Sequence, residues 1–397
     1  MDLLLISVIA VIAVALIFDF TNGFHDAGNA VATVVATRAL PAKWAPAFSA
    51  FFNFVALFWM LIFGSAVADT IAKTVKAENT GVALAFAALF AAIVWNFITW
   101  RLGLPSSSSH AIMGGLVGAG IAAGGFAAIS GASVSKAAWG ILLSPLVAFG
   151  IAFLAFFVIW AIQKAFKMRD NHPVFKGFQL VSAAGLSVGH GLNDAQKTMG
   201  VIAALLVGAG YATGVENVVA EHFWVALLAY GAIALGTLWG GWKIIETMGL
   251  KLTTLHANSG AAANVGATVS IFGATSLGVP ISTTQAAASS IIGAGVGSGK
   301  GAHWKTIGEM FLAWILTIPA AAIISFGMFE LTQLPTLFAW ITVGVVLLGF
   351  GAWALWAMTH TITAEDVAAE IPVEEILAEP VSAHPHLEST EPDPTVR

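Results

Sequence analysis

The segment at residues 22–30, NGFHDAGNA, places ionisable and amide side chains directly after sixteen almost wholly apolar residues, 3–18. If that apolar run crosses a bilayer, a carboxylate beside it is expensive without a partner and is functional by default. We predict that Asp26 holds a co-transported cation or carries a proton, with Asn22 and His25 beside it. The imidazole of His25 suits proton coupling because it titrates between about pH 5 and 8. The alternatives are structural: Asp26 caps a helix, and His25 packs at its start.

A second polar segment, GLPSSSSH at residues 103–110, has the composition of a helix break followed by a new helix. Gly103 and Pro105 end one helix, and a proline in the first turn of the next removes no needed N–H donor. The free N–H groups of that turn and the helix dipole favour an anion. We predict a site for a small tetrahedral oxyanion such as phosphate, with an ordinary serine-capped surface turn as the alternative. Its hydroxyl groups are those of Ser106, Ser107, Ser108 and Ser109.

Both polar segments recur later in the chain, in the same order. NGFHDAGN at residues 22–29 aligns without gaps with HGLNDAQK at 190–197, and GLPSSSSH aligns with GVPISTTQ at 278–285. The offsets of 168 and 175 residues indicate an internal duplication. Helices interrupted at matching positions in two halves are typical of a transporter that binds its substrate between the repeats.

The second copies enlarge the set of candidate site residues. Asp194 matches Asp26 and is predicted as a second coupling carboxylate. Lys197, three residues later on the same helix face, either contacts substrate oxygens or neutralises Asp194. The further substrate-binding candidates are Asn29, Asn193, Lys197, Ser282, Thr283 and Thr284.

The composition defines the class of protein that must position these side chains. Of the 397 residues, 58% are hydrophobic and only 9% are charged, and the mean hydropathy is +0.88, whereas soluble domains carry roughly 25% charged residues. The apolar runs are continuous, which predicts an all-α integral membrane protein with about ten to twelve membrane segments, since a spanning helix needs ~20 residues. The chain contains no cysteine, which excludes disulfides and thiolate metal sites.

The charges divide the chain into four regions. A basic loop at residues 164–177 separates a first transmembrane repeat, 1–163, from a second, 178–358, and we predict that this loop is cytoplasmic. Residues 359–397 form an acidic tail that we predict to be disordered, because nine of the 21 acidic residues lie in the last 33 positions.

Other classes of function lack their sequence signatures. The chain has neither a glycine-rich phosphate loop followed by Lys-Ser/Thr nor an HExxH-type ligand set. We therefore predict that it is not an enzyme, that it has no cofactor and no resident metal, and that it does not bind nucleic acid.

The segments that carry these residues resemble the inorganic phosphate transporter (PiT) family in both halves: FDFTNGFHDAGNAVATVVATRAL (18–40), GLPSSSSHA (103–111), SVGHGLNDAQKTMG (187–200) and GVPISTTQ (278–285). The resemblance implies two inverted repeats, about twelve membrane segments including re-entrant helical hairpins, and a dimer. It assigns Asp26, Asn29, Asn193 and Asp194 to the signature segments around substrate and coupling ion. The hairpin tips would contain Ser107, Ser108, Ser282 and Thr283.

The coupling ion is also suggested by the resemblance. Sodium-coupled members typically have Gly-Ala-Asn-Asp in the first signature, whereas this chain has Gly-Phe-His-Asp at residues 23–26, similar to the bacterial low-affinity proton-coupled Pit branch. Members of that branch are thought to accept a neutral complex of a divalent metal with hydrogen phosphate.

We therefore expect a secondary active transporter in a bacterial inner membrane that imports inorganic phosphate by proton symport and alternating access. The alternatives are a sodium-coupled phosphate symporter, a proton-coupled sulfate permease, a passive anion channel, and a membrane scaffold or receptor.

Overall fold

A computed structural model of the chain describes residues 3–371, and in that range it contains sixteen α-helices and no β-strand. In chain order they are α1 Leu3–His25, α2 Ala27–Ala36, α3 Ala45–Phe63, α4 Ala66–Ala72, α5 Val82–Leu102, α6 Ser108–Gly124, α7 Gly131–Ala165, α8 Pro173–Gly208, α9 Val218–Glu221, α10 Trp224–Trp239, α11 Trp242–Leu250, α12 Ala257–Ser276, α13 Thr283–Gly297, α14 Trp304–Thr332, α15 Thr336–Thr359 and α16 Ala364–Glu370.

Six helical segments of the described chain are long and apolar enough to cross a membrane, and a bent pair would make a seventh. The pair, Val215–Glu221 with Trp224–Trp239, bends by 88°. The other apolar segments predicted from the sequence belong to helices that are shorter or more polar. The predicted all-α integral membrane fold is confirmed. The six segments are Leu3–Ala36, Ala42–Phe63, Val82–Leu102, Gly131–Ala165, Trp304–Thr332 and Thr336–Thr359.

Two helical hairpins begin their second arms at the predicted serine and threonine segments. The arms α6 and α13 have 17 and 15 residues, fewer than the ~20 that a spanning helix needs. Gly103 and Gly278 occupy the bends with φ of +68° and +63°, a left-handed conformation that only glycine adopts without strain. The predicted helix breaks therefore lie where the Gly-x-Pro pattern put them.

Corresponding elements of the two halves pack in an exchanged pattern. Three contacts between the halves each have a counterpart. The contact of α1 with α10 corresponds to that of α8 with α3, and the contact of α4 with α8 corresponds to that of α11 with α2. The contact of α6 with α14 corresponds to that of α13 with α7. Two hydrogen bonds repeat the pattern: Thr70 donates to the carbonyl oxygen of Gly278 and Thr247 to that of Gly103, both at 2.8 Å. Each half thus holds the hairpin bend of the other. The inversion of one half relative to the other stays a prediction.

Glycines allow the exchanged helices to approach closely. A Cβ atom at Gly23 would lie 2.3 Å from the carbonyl oxygen of Ile233, and one at Gly191 would lie 2.5 Å from that of Asn53. Small residues serve this purpose between membrane helices, where backbone proximity provides the packing energy. The duplicated glycines therefore bring α1 onto α10 and α8 onto α3, beside the polar segments.

The end of the described chain corrects one boundary. The tail predicted to be disordered from residue 359 includes helix α16, which Thr363 and Asp366 cap reciprocally. Val367 and Ile371 are buried, and the guanidinium group of Arg38 donates to the carbonyl oxygen of Ile371 at 3.4 Å. A local capping pair and two apolar residues suffice here because α11 and residues 42–44 offer a docking surface. The remainder of the predicted tail, 372–397, lies outside the described residues.

Candidate functional site

Asp26 lies at the break between α1 and α2. Its backbone has φ −92° and ψ 3°, and its carbonyl oxygen accepts a hydrogen bond from the N–H of Asn29 at 2.9 Å. The carboxylate oxygens face Nδ1 of His25 at 2.6 Å and the hydroxyl group of Ser108 at 3.2 Å. Of the two side chains expected beside Asp26, His25 contacts its carboxylate and Asn22 bonds to Asp194 instead. Ser108, from the other polar segment of the first half, is the second contact of Asp26.

Asp194 lies inside the continuous helix α8. Nζ of Lys197 donates to its Oδ1 at 2.5 Å, and Nδ2 of Asn22 donates to its Oδ2 at 3.4 Å. Of the two roles considered for Lys197, the structure contains the ion pair. The lysine is fully buried, so its charge is compensated by this carboxylate and not by water.

Thr283 joins the two carboxylates at the tip of the second hairpin. Its Oγ1 lies 3.4 Å from Oδ2 of Asp26 and 3.1 Å from Oδ2 of Asp194. Since a hydroxyl group has one proton, it donates to one carboxylate at a time. Asn29 donates to the hydroxyl groups of Thr283 and Thr284 at 3.4 and 3.1 Å. One hydroxyl group thus links the second hairpin tip to both aspartate segments.

The remaining candidates have more varied roles. Ser107 and Ser282 cap their helices by accepting the N–H groups of His110 and Gln285, both at 3.1 Å. Ser109 donates to the carbonyl oxygen of Ile281 at 2.6 Å and so ties the two hairpin tips together.

Two candidates make their side-chain hydrogen bonds with groups other than the two carboxylates. Ser106 donates to Thr99 at 2.7 Å and lies 3.2 Å from Nε2 of His25, on the side of the imidazole opposite Asp26. Nδ2 of Asn193 donates to Thr275 on α12 at 2.8 Å. The structure therefore brings Ser108 and Thr283 to the carboxylates directly, whereas neither Ser106 nor Asn193 forms a hydrogen bond with them.

His190 belongs to the site and is absent from the sequence-based candidates. Its Nε2 lies 3.3 Å from Oδ2 of Asp194 and 4.0 Å from Oδ2 of Asp26, and its Nδ1 lies 3.1 Å from Oδ1 of Asn53. The signal was present in the aligned segments, NGFHD and HGLND, in which histidine and asparagine exchange places. Each copy therefore supplies one imidazole, and each aspartate has one beside it.

The site has the donor set that a cation requires. Asp26, His190 and Asp194 each offer an atom within 4.8 Å of the others. Three amide oxygens are buried without a hydrogen-bond partner, those of Asn22, Asn29 and Asn193. Two neighbouring carboxylates repel each other, so a proton or a cation between them is favourable.

The site is closed to solvent in this structure. Every side chain predicted to bind substrate or coupling ion belongs to a residue with at most 1% of its surface exposed. An ion in this position would be enclosed by protein on all sides, and entry or exit would require the surrounding helices to move.

Comparison with known proteins gives a consistent set of similarities. Residues 22–325 match the phosphate transporter family. A probable low-affinity inorganic phosphate transporter of Rhizobium meliloti (strain 1021) is 46% identical over 322 residues, which is 80% of this chain and 94% of the relative. The protein of the same description from Bacillus subtilis (strain 168) is 41% identical over 323 residues, covering 81% of this chain and 96% of the relative.

A solved structure has the same fold. The chain is similar to a protein described as the sodium-dependent phosphate transporter with a TM-score of 0.73, over 83% of this chain and 99% of that one, at 24% sequence identity.

Proposed function

Because the chain belongs to the phosphate transporter family, a family of membrane transporters and not of enzymes, we propose that it imports inorganic phosphate by proton symport. We also propose that it works as a homodimer in the inner membrane of a bacterium. The observation that carries the proposal is that two helix N-termini and two carboxylates meet in one buried site.

Phosphate would bind at the hairpin tips. Helices α6 and α13 begin at Ser108 and Thr283, and the free N–H groups and dipole of a helix N-terminus attract an anion. The hydroxyl groups of these residues, the amide of Asn29 and the charge of Lys197 provide further favourable contacts. The two helix starts belong to different halves, which fits a substrate held at the repeat interface.

Coupling follows from the carboxylates beside this site. An anion next to ionised Asp26 and Asp194 is repelled, so phosphate binding requires that positive charge enter with it. The imidazoles of His25 and His190 lie 2.6 and 3.3 Å from these carboxylates, and the ring nitrogens of an imidazole can accept and donate a proton. This arrangement favours protons as the coupling ion.

A divalent metal offers a second way to supply the charge. If the substrate is a neutral metal–hydrogen phosphate complex, the metal enters as part of the substrate, and Asp26, His190 and Asp194 have the atoms to bind it. Alternating access would then move the two halves around this closed site, opening it to one side at a time.

The test is uptake of labelled phosphate into proteoliposomes with an imposed proton or sodium gradient. We expect a proton gradient to drive accumulation in the wild type. D26N and D194N should each lower it by about tenfold or more, because each removes a proposed coupling carboxylate and a loss of about 1.4 kcal/mol already corresponds to tenfold. D69N, which alters a partly exposed ion pair with Lys73, is the matched control and should retain uptake.

The competing functions give different outcomes in the same vesicles. Accumulation driven by sodium at constant pH would overturn proton coupling in favour of sodium symport, for which the amide oxygens of Asn22, Asn29 and Asn193 are suitable ligands. Sulfate uptake without phosphate uptake would identify a sulfate permease. Ionic conductance far above a transporter's turnover would identify a channel, and absence of transport would leave a scaffold or receptor.

A further inference from the structure

Asp19 is a third buried carboxyl group that the proposed transport site does not use. It lies in α1, one turn before Asn22 and two turns before Asp26, on the face that these residues share. None of its surface is exposed, and neither carboxyl oxygen has a hydrogen-bond partner. Such a group inside a membrane protein is costly and calls for a functional explanation.

The second half of the chain does not repeat this carboxyl group. At the offset of 168 residues the position of Asp19 corresponds to Ser187, whose hydroxyl group bonds to Ser49 at 3.0 Å and to the carbonyl oxygen of Ala183 at 2.9 Å. In the second half this position is therefore occupied by a neutral side chain, Ser187, whose hydrogen bonds are satisfied. Asp19 replaces it in the other half without making such bonds.

The charged groups that act on Asp19 come from α8. They are Lys197 and Asp194, while the hydroxyl group of Thr198 and, on α1 itself, the amide of Asn22 lie nearby outside hydrogen-bonding geometry. On α10 the titratable side chain is Tyr230, which is buried and whose hydroxyl group is unpartnered.

The other neighbours of α1 add little charge near Asp19. Helix α5 contains one titratable side chain, Arg101 at its C-terminal end, and α2 contains none. Within α1 itself the other titratable residue is His25, which is in contact with Asp26. Helix α8 also contains Lys176, near its N-terminal end, and His190, in contact with Asp194.

Asp19 takes part in no ion pair among the described residues. The ammonium group of Lys197 lies on Asp194 at 2.5 Å, and the imidazoles of His25 and His190 contact Asp26 and Asp194 at 2.6 and 3.3 Å, so none of these groups compensates Asp19. An isolated carboxylate without hydrogen bonds in a dry interior takes up a proton. Asp19 is thus neutral in this closed form as long as Lys197 stays on Asp194.

We propose that Asp19 carries the coupling proton and that Lys197 is a counter-ion shared between Asp19 and Asp194. When Asp19 releases its proton to water on the open side, its O–H bond breaks and a carboxylate remains, while Lys197 stays an ammonium ion. The new carboxylate attracts Lys197 away from Asp194. Asp194 then faces the phosphate site uncompensated and repels the anion, so proton release and phosphate release favour each other.

The same coupling operates in the loading direction. Protonated Asp19 leaves Lys197 on Asp194, where its charge offsets the carboxylate next to the anion. Binding linkage is reciprocal, so a proton on Asp19 raises the affinity for phosphate by the same factor by which phosphate raises the affinity for the proton. This inference rests on proton-coupled phosphate transport, and it names the group that binds the proton.

The experiment separates driven transport from exchange in proteoliposomes. D19N mimics the protonated acid, so we expect exchange of labelled for unlabelled phosphate at equal pH to stay comparable to the wild type. Accumulation driven by a pH gradient should be lost, and a pH-sensitive dye should record no proton entry with phosphate. D19E restores the carboxyl group and should restore accumulation, while D19S copies the second half and should behave like D19N.

The pH dependence of phosphate affinity provides an independent measurement. One linked proton changes the affinity for phosphate by up to tenfold per pH unit. The wild-type affinity should therefore change with pH more steeply than the D19N affinity, by up to tenfold per pH unit. The ionisation of phosphate itself is common to both proteins and cancels in the comparison.

Three outcomes decide the proposal. Proton-driven accumulation by D19N at the wild-type proton-to-phosphate ratio overturns it. If D19N fails in exchange as well, infrared difference spectra of the folded wild type and of D19E decide. The proposal requires the band of a protonated carboxylic acid in these spectra, and the absence of that band overturns the assignment. If the wild type itself is not driven by protons, the proposed function fails, and the infrared band still reports on Asp19 separately.

Discussion

At the scale of single residues, the site divides its work between two chemically different copies of one motif. The first copy has asparagine at 22 and histidine at 25, and the second has histidine at 190 and asparagine at 193. Both imidazoles contact a carboxylate, yet only His190 approaches both carboxylates, at 3.3 and 4.0 Å. We infer that phosphate uptake depends more strongly on His190 than on His25.

The H190N variant tests this inference. The variant removes the 3.3 Å contact between the imidazole and Asp194, and because about 1.4 kcal/mol corresponds to a tenfold change, phosphate uptake should weaken by roughly tenfold or more. H222N, at a partly exposed histidine that contacts the carbonyl oxygen of Tyr211, is the control, and equal uptake by H190N and H222N would refute the assignment.

At the scale of elements, the same motif forms a broken helix in one half and a continuous one in the other. Gly28 and Asn29 follow Asp26, whereas Gln196 and Lys197 follow at the matching positions after Asp194. Glycine and asparagine are poorer helix formers than glutamine and lysine, which accounts for a break at Asp26 and for the intact α8. The break turns Asp26 toward the hairpin tips, and the intact helix aligns Asp194 with Lys197.

The hairpin bends allow a matched test of backbone strain. Both bend glycines have positive φ, which costs other residues about 1–2 kcal/mol. A Cβ at Gly103 would have its nearest neighbour at 3.6 Å, whereas a Cβ at Gly278 would lie 2.9 Å from Cβ of Ala66. We expect G103A to lower the thermal unfolding temperature and G278A to lower it further.

The control for these variants is G231A, at a helical glycine with open space around the added carbon. Alanine is the better helix former, so G231A should unfold at the wild-type temperature or above. Equal stability of G103A and G231A would show that the bend is not strained by a side chain.

At the scale of the whole molecule, neither half is a self-contained unit. Helix α6 packs on α14 and α13 on α7, and the bend of each hairpin is held by a threonine of the other half. The carboxylates come one from each half, and Thr283 approaches both. Folding of the site therefore requires both halves together.

Splitting the chain in the loop after Met168 tests this dependence. Co-expressed fragments 1–168 and 169–397 should assemble and restore phosphate uptake, because the exchanged contacts span the cut and α7 and α8 stay intact. Each fragment alone should fail to accumulate in the membrane, since its apolar contact faces lack partners. Stable accumulation of one fragment alone, measured by membrane immunoblotting against the intact chain, would contradict the exchanged architecture.

The sequence by itself determined the class of the protein and the position of its chemistry along the chain. Hydropathy required membrane helices because the backbone must satisfy its hydrogen bonds internally, and the Gly-x-Pro segments marked the hairpin bends because few residues tolerate that backbone. The duplication identified Asp26 and Asp194 as a pair because a costly residue appears twice in the same setting.

The tertiary structure decided which side chains meet. Ser107 and Ser108 are adjacent, yet one caps a helix and the other donates to Asp26, because Ser107 is the extended N-cap residue and Ser108 is the first residue of the helix. His190 and Asp19 could not be assigned from their own segments, since their partners lie on other helices. Contacts between distant segments depend on how the halves dock, and docking is determined by packing over the whole molecule, which no local pattern specifies.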